Sequence, residues 1–65
     1  MFINVTYREA RRLFAHGWEI AMYDAAGELV HIVHHEAGSR RAAARWFHSI
    51  AEDFSITGFV AEKRV

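Results

Sequence analysis

The 65-residue chain has no cysteine and no proline, only four glycines, and no net charge with its histidines neutral. Each absence removes a class of protein. Without cysteine there is no disulfide staple and no thiolate metal site, so a scaffold this short must rely on packing or self-association. The same absence suits a reducing compartment. Without proline or a low-complexity stretch there is no linker and no domain boundary, and residues 1–65 read as a single α+β domain with one core. A chain of this size buries roughly 60% of the surface its unfolded form exposes, which leaves little room for a deep cleft. No apolar run approaches membrane-spanning length, and Asn4, Arg8, Glu9, Arg11 and Arg12 stand where a signal peptide would carry its apolar segment. A cytoplasmic protein with no membrane partner is expected. Net neutrality removes the bulk attraction to nucleic acid.

Seven of the eight basic residues are Arg and eleven residues are Ala, a bias typical of a GC-rich bacterial or phage genome. Charge comes in blocks. Counting Lys and Arg against Asp and Glu, residues 1–17 carry +2, 18–36 carry −4, 37–48 carry +3 and 49–62 carry −3, with Lys63 and Arg64 following.

Phe2 to Val5 is a short β-prone run. Thr6-Tyr7-Arg8-Glu9 matches the T-x-x-E capping box, in which the hydroxyl accepts an N-terminal amide and Glu9 reaches back to the amide of Thr6. Ala10, Leu13 and Phe14 follow at helical spacing, and Gly17 supplies the left-handed residue that ends the helix. From Trp18 the apolar period becomes two. Asp24-Ala25-Ala26-Gly27-Glu28 has the composition of a type I turn closed by a left-handed glycine, a three-residue hairpin loop. With Asp24 facing Glu28, regular pairing predicts Tyr23 opposite Leu29, Met22 opposite Val30, Ala21 opposite His31, Ile20 opposite Ile32 and Glu19 opposite Val33. One face would then carry Trp18, Ile20, Met22, Val30, Ile32 and His34, the other Glu19, Ala21, Tyr23, Leu29, His31 and Val33.

Ala37-Gly38 breaks the second strand and Ser39 is the candidate N-cap of a helix over Arg40 to Phe54, with Ala43, Phe47, Ile50 and Phe54 on its apolar stripe and Trp46 beside it. Ile56 to Val65 returns to β character, Gly58 marking a bulge and Lys63-Arg64 blunting an edge. The predicted order is βαββαβ, a small antiparallel sheet with two helices on one face in a minimal ferredoxin-like sandwich. If the first strand fails to form, three strands and two helices remain.

The chemistry-bearing motifs are few. His31 and His35 would share one face of a strand roughly 13 Å apart, with His34 pointing the other way, so no metal site is expected. No G-x-S-x-G, phosphate-binding loop or carboxylate pair at a defined spacing is present, so no cofactor and no enzymatic activity are expected. A helix ending in Gly17-Trp18 ahead of a hairpin that carries His31 resembles HicA-type toxins, which cleave RNA. The Gly-Ser-His motif that carries that family's catalytic histidine is absent here, and the resemblance implies no catalytic residue.

Arg40, Arg41 and Arg45 open the second helix, where the macrodipole prefers acids. Residues held against local preference point to an anionic partner, while their apolar stems and the nearby Glu36 and Glu52 offer a purely structural role. Tyr23, Leu29, His31 and Val33 form a second candidate contact surface, since the hairpin has two faces that both want burial. The expected function is therefore a non-enzymatic protein-interaction module, a homodimer through the hairpin face, that binds a larger protein through that face or the Arg-rich helix start. By size and composition the chain is similar to small phage or mobile-element proteins that inhibit host machinery, anti-CRISPR proteins among them. The alternative is a small nucleic-acid-binding or RNA-cleaving module, with Tyr23, His31 and Phe59 as stacking residues on an open sheet.

Overall fold

A computed structural model describes residues 2–35 and 38–63. Along them run β1 (Phe2–Val5), α1 (Tyr7–Ala15), β2 (Glu19–Tyr23), β3 (Leu29–Val33), α2 (Arg40–Asp53) and β4 (Gly58–Glu62), the βαββαβ order with its first strand formed. All strand pairs are antiparallel and the sheet order is β1-β4-β2-β3. Each helix therefore connects two strands that have a third between them, giving two interleaved split β-α-β units. The C-terminal strand pairs on both sides and lies inside the sheet, so the edge role expected for Lys63-Arg64 does not arise; Lys63 follows the strand and Arg64 is outside the described residues. Gly58 pairs with Tyr23 without a register shift, and no bulge forms there.

Both helices start from a side-chain cap. Thr6 accepts the amide of Glu9 at 3.2 Å and Ser39 accepts that of Ala42 at 3.0 Å. The reciprocal half of the capping box is not made: the Glu9 carboxylate instead pairs with Arg12 one turn on. Both helices also end in the same way. Trp18 N–H donates to Leu13 C=O and Gly17 N–H to Phe14 C=O, and after α2 the amides of Ile56 and Ser55 donate to Ala51 and Glu52. These are Schellman closures, and each needs a left-handed residue just past the cap. Gly17 provides it at φ +94°, whereas Ser55 takes φ +51° with a side chain in place.

The hairpin loop forms as the residue types dictate. Asp24 N–H donates to Glu28 C=O and Asp24 C=O accepts from Gly27 N–H, its carboxylate accepts the amides of Ala26 and Glu28 at 2.9 and 3.0 Å, and Gly27 sits at φ +81°. Tyr23 then lies opposite Leu29, as expected. One residue later the register departs from regular pairing: Met22 faces His31, Ala21 faces Ile32 and Ile20 faces Val33, because a bulge takes up Val30. The parity of β3 is thereby inverted. His31 and Val33 turn to the helix side, and Ile32 joins Leu29 on the opposite side.

On the helix side, Val5, Phe59, Met22 and His31 make one cross-strand row and Ile3, Ala61, Ile20 and Val33 the next. Phe14, Phe47, Ala10, Ala43 and Ala51 pack onto them, and Phe14, Phe47, Ile20 and Met22 are fully buried. The stripe of α2 lies slightly off the expected one. Ala43 and Phe47 are core, Ala51 joins them, and Trp46 and Phe54 are each 48% exposed. Trp46 stacks on Phe14 with centroids 5.6 Å apart, covering the core edge rather than filling its centre.

A left-handed conformation costs a residue with a Cβ about 1–2 kcal/mol, offset in glycine by about 0.5–1 kcal/mol of extra unfolded-chain entropy. Ser55→Gly is accordingly expected to stabilise the fold and raise the thermal midpoint by about 2–8 °C. A midpoint unchanged or lowered in calorimetry would show that the serine is not strained.

Candidate functional site

Two surfaces stand out, one on each side of the molecule. The first is the sheet face that carries no helix. Its middle row is Asn4, Val60, Ala21 and Ile32; Tyr23 and Leu29 lie on one flank, Glu19 and Glu62 on the other. Ile32 is 56% and Leu29 52% exposed. Of the hairpin residues expected to form a contact surface, Tyr23 and Leu29 are on this face, whereas the bulge places His31 and Val33 under the helices. Val33 is buried, and the His31 ring meets Phe54 edge to face at 4.6 Å. Ile32, Ala21 and Val60 take their places. Alternation within one strand pair is silent about a bulge, and only the pairing of β4 with β2 brings Val60 beside Ala21.

His31 carries a cost. Its Nε2 is buried with no hydrogen-bond partner among the described residues. An unsatisfied buried nitrogen costs about 1–3 kcal/mol, while the exposure of Ile32 is offset by the burial of Val33 in the same register. A domain of this length has a total stability of about 3–10 kcal/mol. The buried imidazole nitrogen is thus a sizeable local cost of the bulged register, which places Ile32 outward and Val33 inward.

The second surface is the outer side of the helix pair. α1 and α2 run antiparallel, and the furrow between them gathers arginines from both. Two cavities adjoin along it, of about 540 and 460 Å³. Arg8, Arg12 and Arg40 wall the first and Arg45 the second, while Arg11, Arg41 and the half-buried Ala44 border both. Arg40, Arg41 and Arg45, singled out for their unfavourable place in the helix, are therefore joined by Arg8, Arg11 and Arg12, which on α1 alone form an ordinary solvated face. Helical spacing shows each set; that the two sets meet follows from the packing of the helices. Among the described residues Arg12 is the one arginine of the six in an ion pair, with Glu9, and Arg11 lies over the Tyr7 ring, 5.7 Å from its centroid. Glu36 lies outside the described residues.

At the far end of the furrow Tyr7 hydroxyl is bonded to His48 Nδ1, and His48 Nε2 lies 3.1 Å from a Glu52 carboxylate oxygen. A neutral imidazole protonated on Nε2 satisfies both contacts, accepting from the phenol and donating to the carboxylate. The Tyr7–His48 bond links the first residue of α1 to the last turns of α2, and the Glu52 contact holds the imidazole from within α2. Among the described residues no group of three His, Cys, Asp or Glu is arranged to hold a metal ion, and no helix is long and apolar enough to cross a membrane.

Fold and surfaces together define a small α+β two-layer sandwich with one layer of helices and one uncovered sheet face. Comparison of the chain with protein-family profiles, with curated proteins and with solved structures found no match.

The unsatisfied nitrogen gives a direct test of the register. His31→Phe keeps a ring against Phe54 while removing the buried polar atom, and is expected to stabilise the domain by about 1 kcal/mol, a rise of about 4–8 °C in thermal midpoint. Loss of stability in the same melt would mean that the imidazole nitrogen has a bonded role.

Proposed function

We propose that this chain is a non-enzymatic protein-interaction module that pairs with a second copy through its uncovered sheet face and binds a larger protein. The observation that carries this reading is the bulge at Val30: it takes Val33 and a histidine in and leaves Ile32 out, half exposed beside Leu29, Ala21 and Val60 on a face no helix covers. Contiguous exposed apolar residues of this kind mark a contact surface. The residues on the face suit self-pairing. A twofold axis along the Asn4-Val60-Ala21-Ile32 row stacks that row on its own counterpart. It also lays Tyr23 of one copy over the Glu19 and Glu62 end of the other, so that a phenol donates to carboxylates and the carboxylates stay apart. Zero net charge adds no long-range repulsion between copies.

Four strands of about five residues present roughly 300 Å² in plan per copy, at the small end for a specific interface. A dissociation constant in the micromolar range is expected. The larger partner is a host protein in a reducing cytoplasm, and an inhibitor encoded by a phage or mobile element is the role that best suits a chain this small without cofactor motifs. Light scattering at tens of micromolar should report a particle of twice the 7.5 kDa chain mass. Ile32→Glu should return it to monomer with an unchanged far-UV spectrum. A native chain monomeric at these concentrations, or a dimer indifferent to Ile32→Glu, would remove the sheet-face reading.

The arginine furrow favours a second reading, a nucleic-acid-binding module. A flat titration of single-stranded RNA at low salt would dispose of it.

A further inference from the structure

We infer that the furrow between α1 and α2 is a binding site for an acidic helical segment of another protein. The inference rests on the reading of the chain as a protein-binding module and names the chemistry of its larger partner. Five guanidinium groups, of Arg8, Arg11, Arg40, Arg41 and Arg45, converge there without a carboxylate partner among the described residues, and Arg11 and Arg41 stand between the two cavities, facing both. Guanidinium forks bind carboxylates two bonds at a time, and they are less strongly hydrated than ammonium groups, so they tolerate desolvation in an interface. All six of the furrow's Lys-or-Arg positions are arginine, which matches that use.

The furrow's lining separates an acidic helix from a nucleic acid. Ala15 and Ala44 line it between the arginines, small enough to let a third helix settle against the antiparallel pair. Single-stranded nucleic acid is held by stacking of bases on exposed aromatic faces. Among the described residues the furrow offers no Phe, Tyr or Trp ring, only the imidazoles of His16, bonded to Arg12 C=O, and His48, bonded to the Tyr7 hydroxyl and Glu52, while Tyr7, at its end, packs its ring on Phe47, Phe59, His48 and the Arg11 guanidinium. The sheet side is acidic, with Glu19, Glu62, Asp24 and Glu28, so a long polyanion extending beyond the furrow would be repelled, whereas a short acidic helix would not.

Fluorescence anisotropy with a labelled helical peptide of about 20 residues, glutamates on one face and alanine and leucine on the other, tests the site against a single-stranded RNA of similar charge. At low salt the peptide is expected to bind more tightly than the RNA, and Arg11→Ala with Arg41→Ala is expected to weaken it by about tenfold or more. Arg8→Ala alone, at the rim, should weaken it several-fold less. The far-UV spectrum of each variant controls for folding, and both arginines are exposed, so the fold should persist. Equal peptide affinity for native and doubly substituted chains overturns the proposal, as does RNA binding more tightly than the peptide. Failure here leaves the dimer mass measurement untouched, so the two readings fail separately.

Discussion

Asp24 accepts two loop amides through its carboxylate and a third through its backbone carbonyl, and Gly27 takes the left-handed conformation that closes the turn. This loop pins Tyr23 opposite Leu29, and every later position of β3 is counted from that pair. Because side chains alternate sides of a sheet, a single extra residue after the pinned pair exchanges the two faces of the strand. Val30 is that residue. Its bulge decides that Val33 enters the core and that Ile32 faces away, and so decides what the uncovered face is made of.

The helices answer to a related constraint. Two helices cover one side of a four-stranded sheet and no more, and their own apolar stripes are narrow, built on alanine with one large aromatic each, Phe14 and Phe47. Alanine at Ala10, Ala43 and Ala51 lets the helices lie close to the sheet and to each other. Close packing brings their outer faces together, and those faces are arginine. Six arginines therefore collect along the furrow, while among the described acids Glu19, Glu62, Asp24 and Glu28 lie on the sheet and hairpin, Glu52 and Asp53 at the far end of α2, and Glu9 alone beside the arginines, which is how a chain of zero net charge comes to have a strongly cationic furrow.

Most of the secondary structure was legible from local chemistry. Thr6 and Ser39 as caps, Gly17 as a terminator and Gly27 as a turn residue each meet a backbone requirement that few residues satisfy, so the residue type announces the position. The second Schellman closure was not legible, since Ser55 occupies a place where glycine is the usual signal. Of the candidate contact residues, Tyr23 and Leu29 lie beside the loop and their sides follow from it; His31 and Val33 lie beyond the bulge and theirs do not. Arg40, Arg41 and Arg45 drew notice through their conflict with the helix dipole, while Arg8, Arg11 and Arg12 break no local rule and gain interest only from what lies beside them.

Residue type and spacing by themselves determined the element order, the capping of both helices, the hairpin loop and the division of charge into blocks, because each depends on interactions within a few residues along the chain. Tertiary structure alone decided the strand order with β4 inside the sheet, the parity of β3, the exposure of Ile32 and the meeting of six arginines across the helix pair. Those depend on which surfaces compete for one small core, and that competition is settled between segments far apart in the chain.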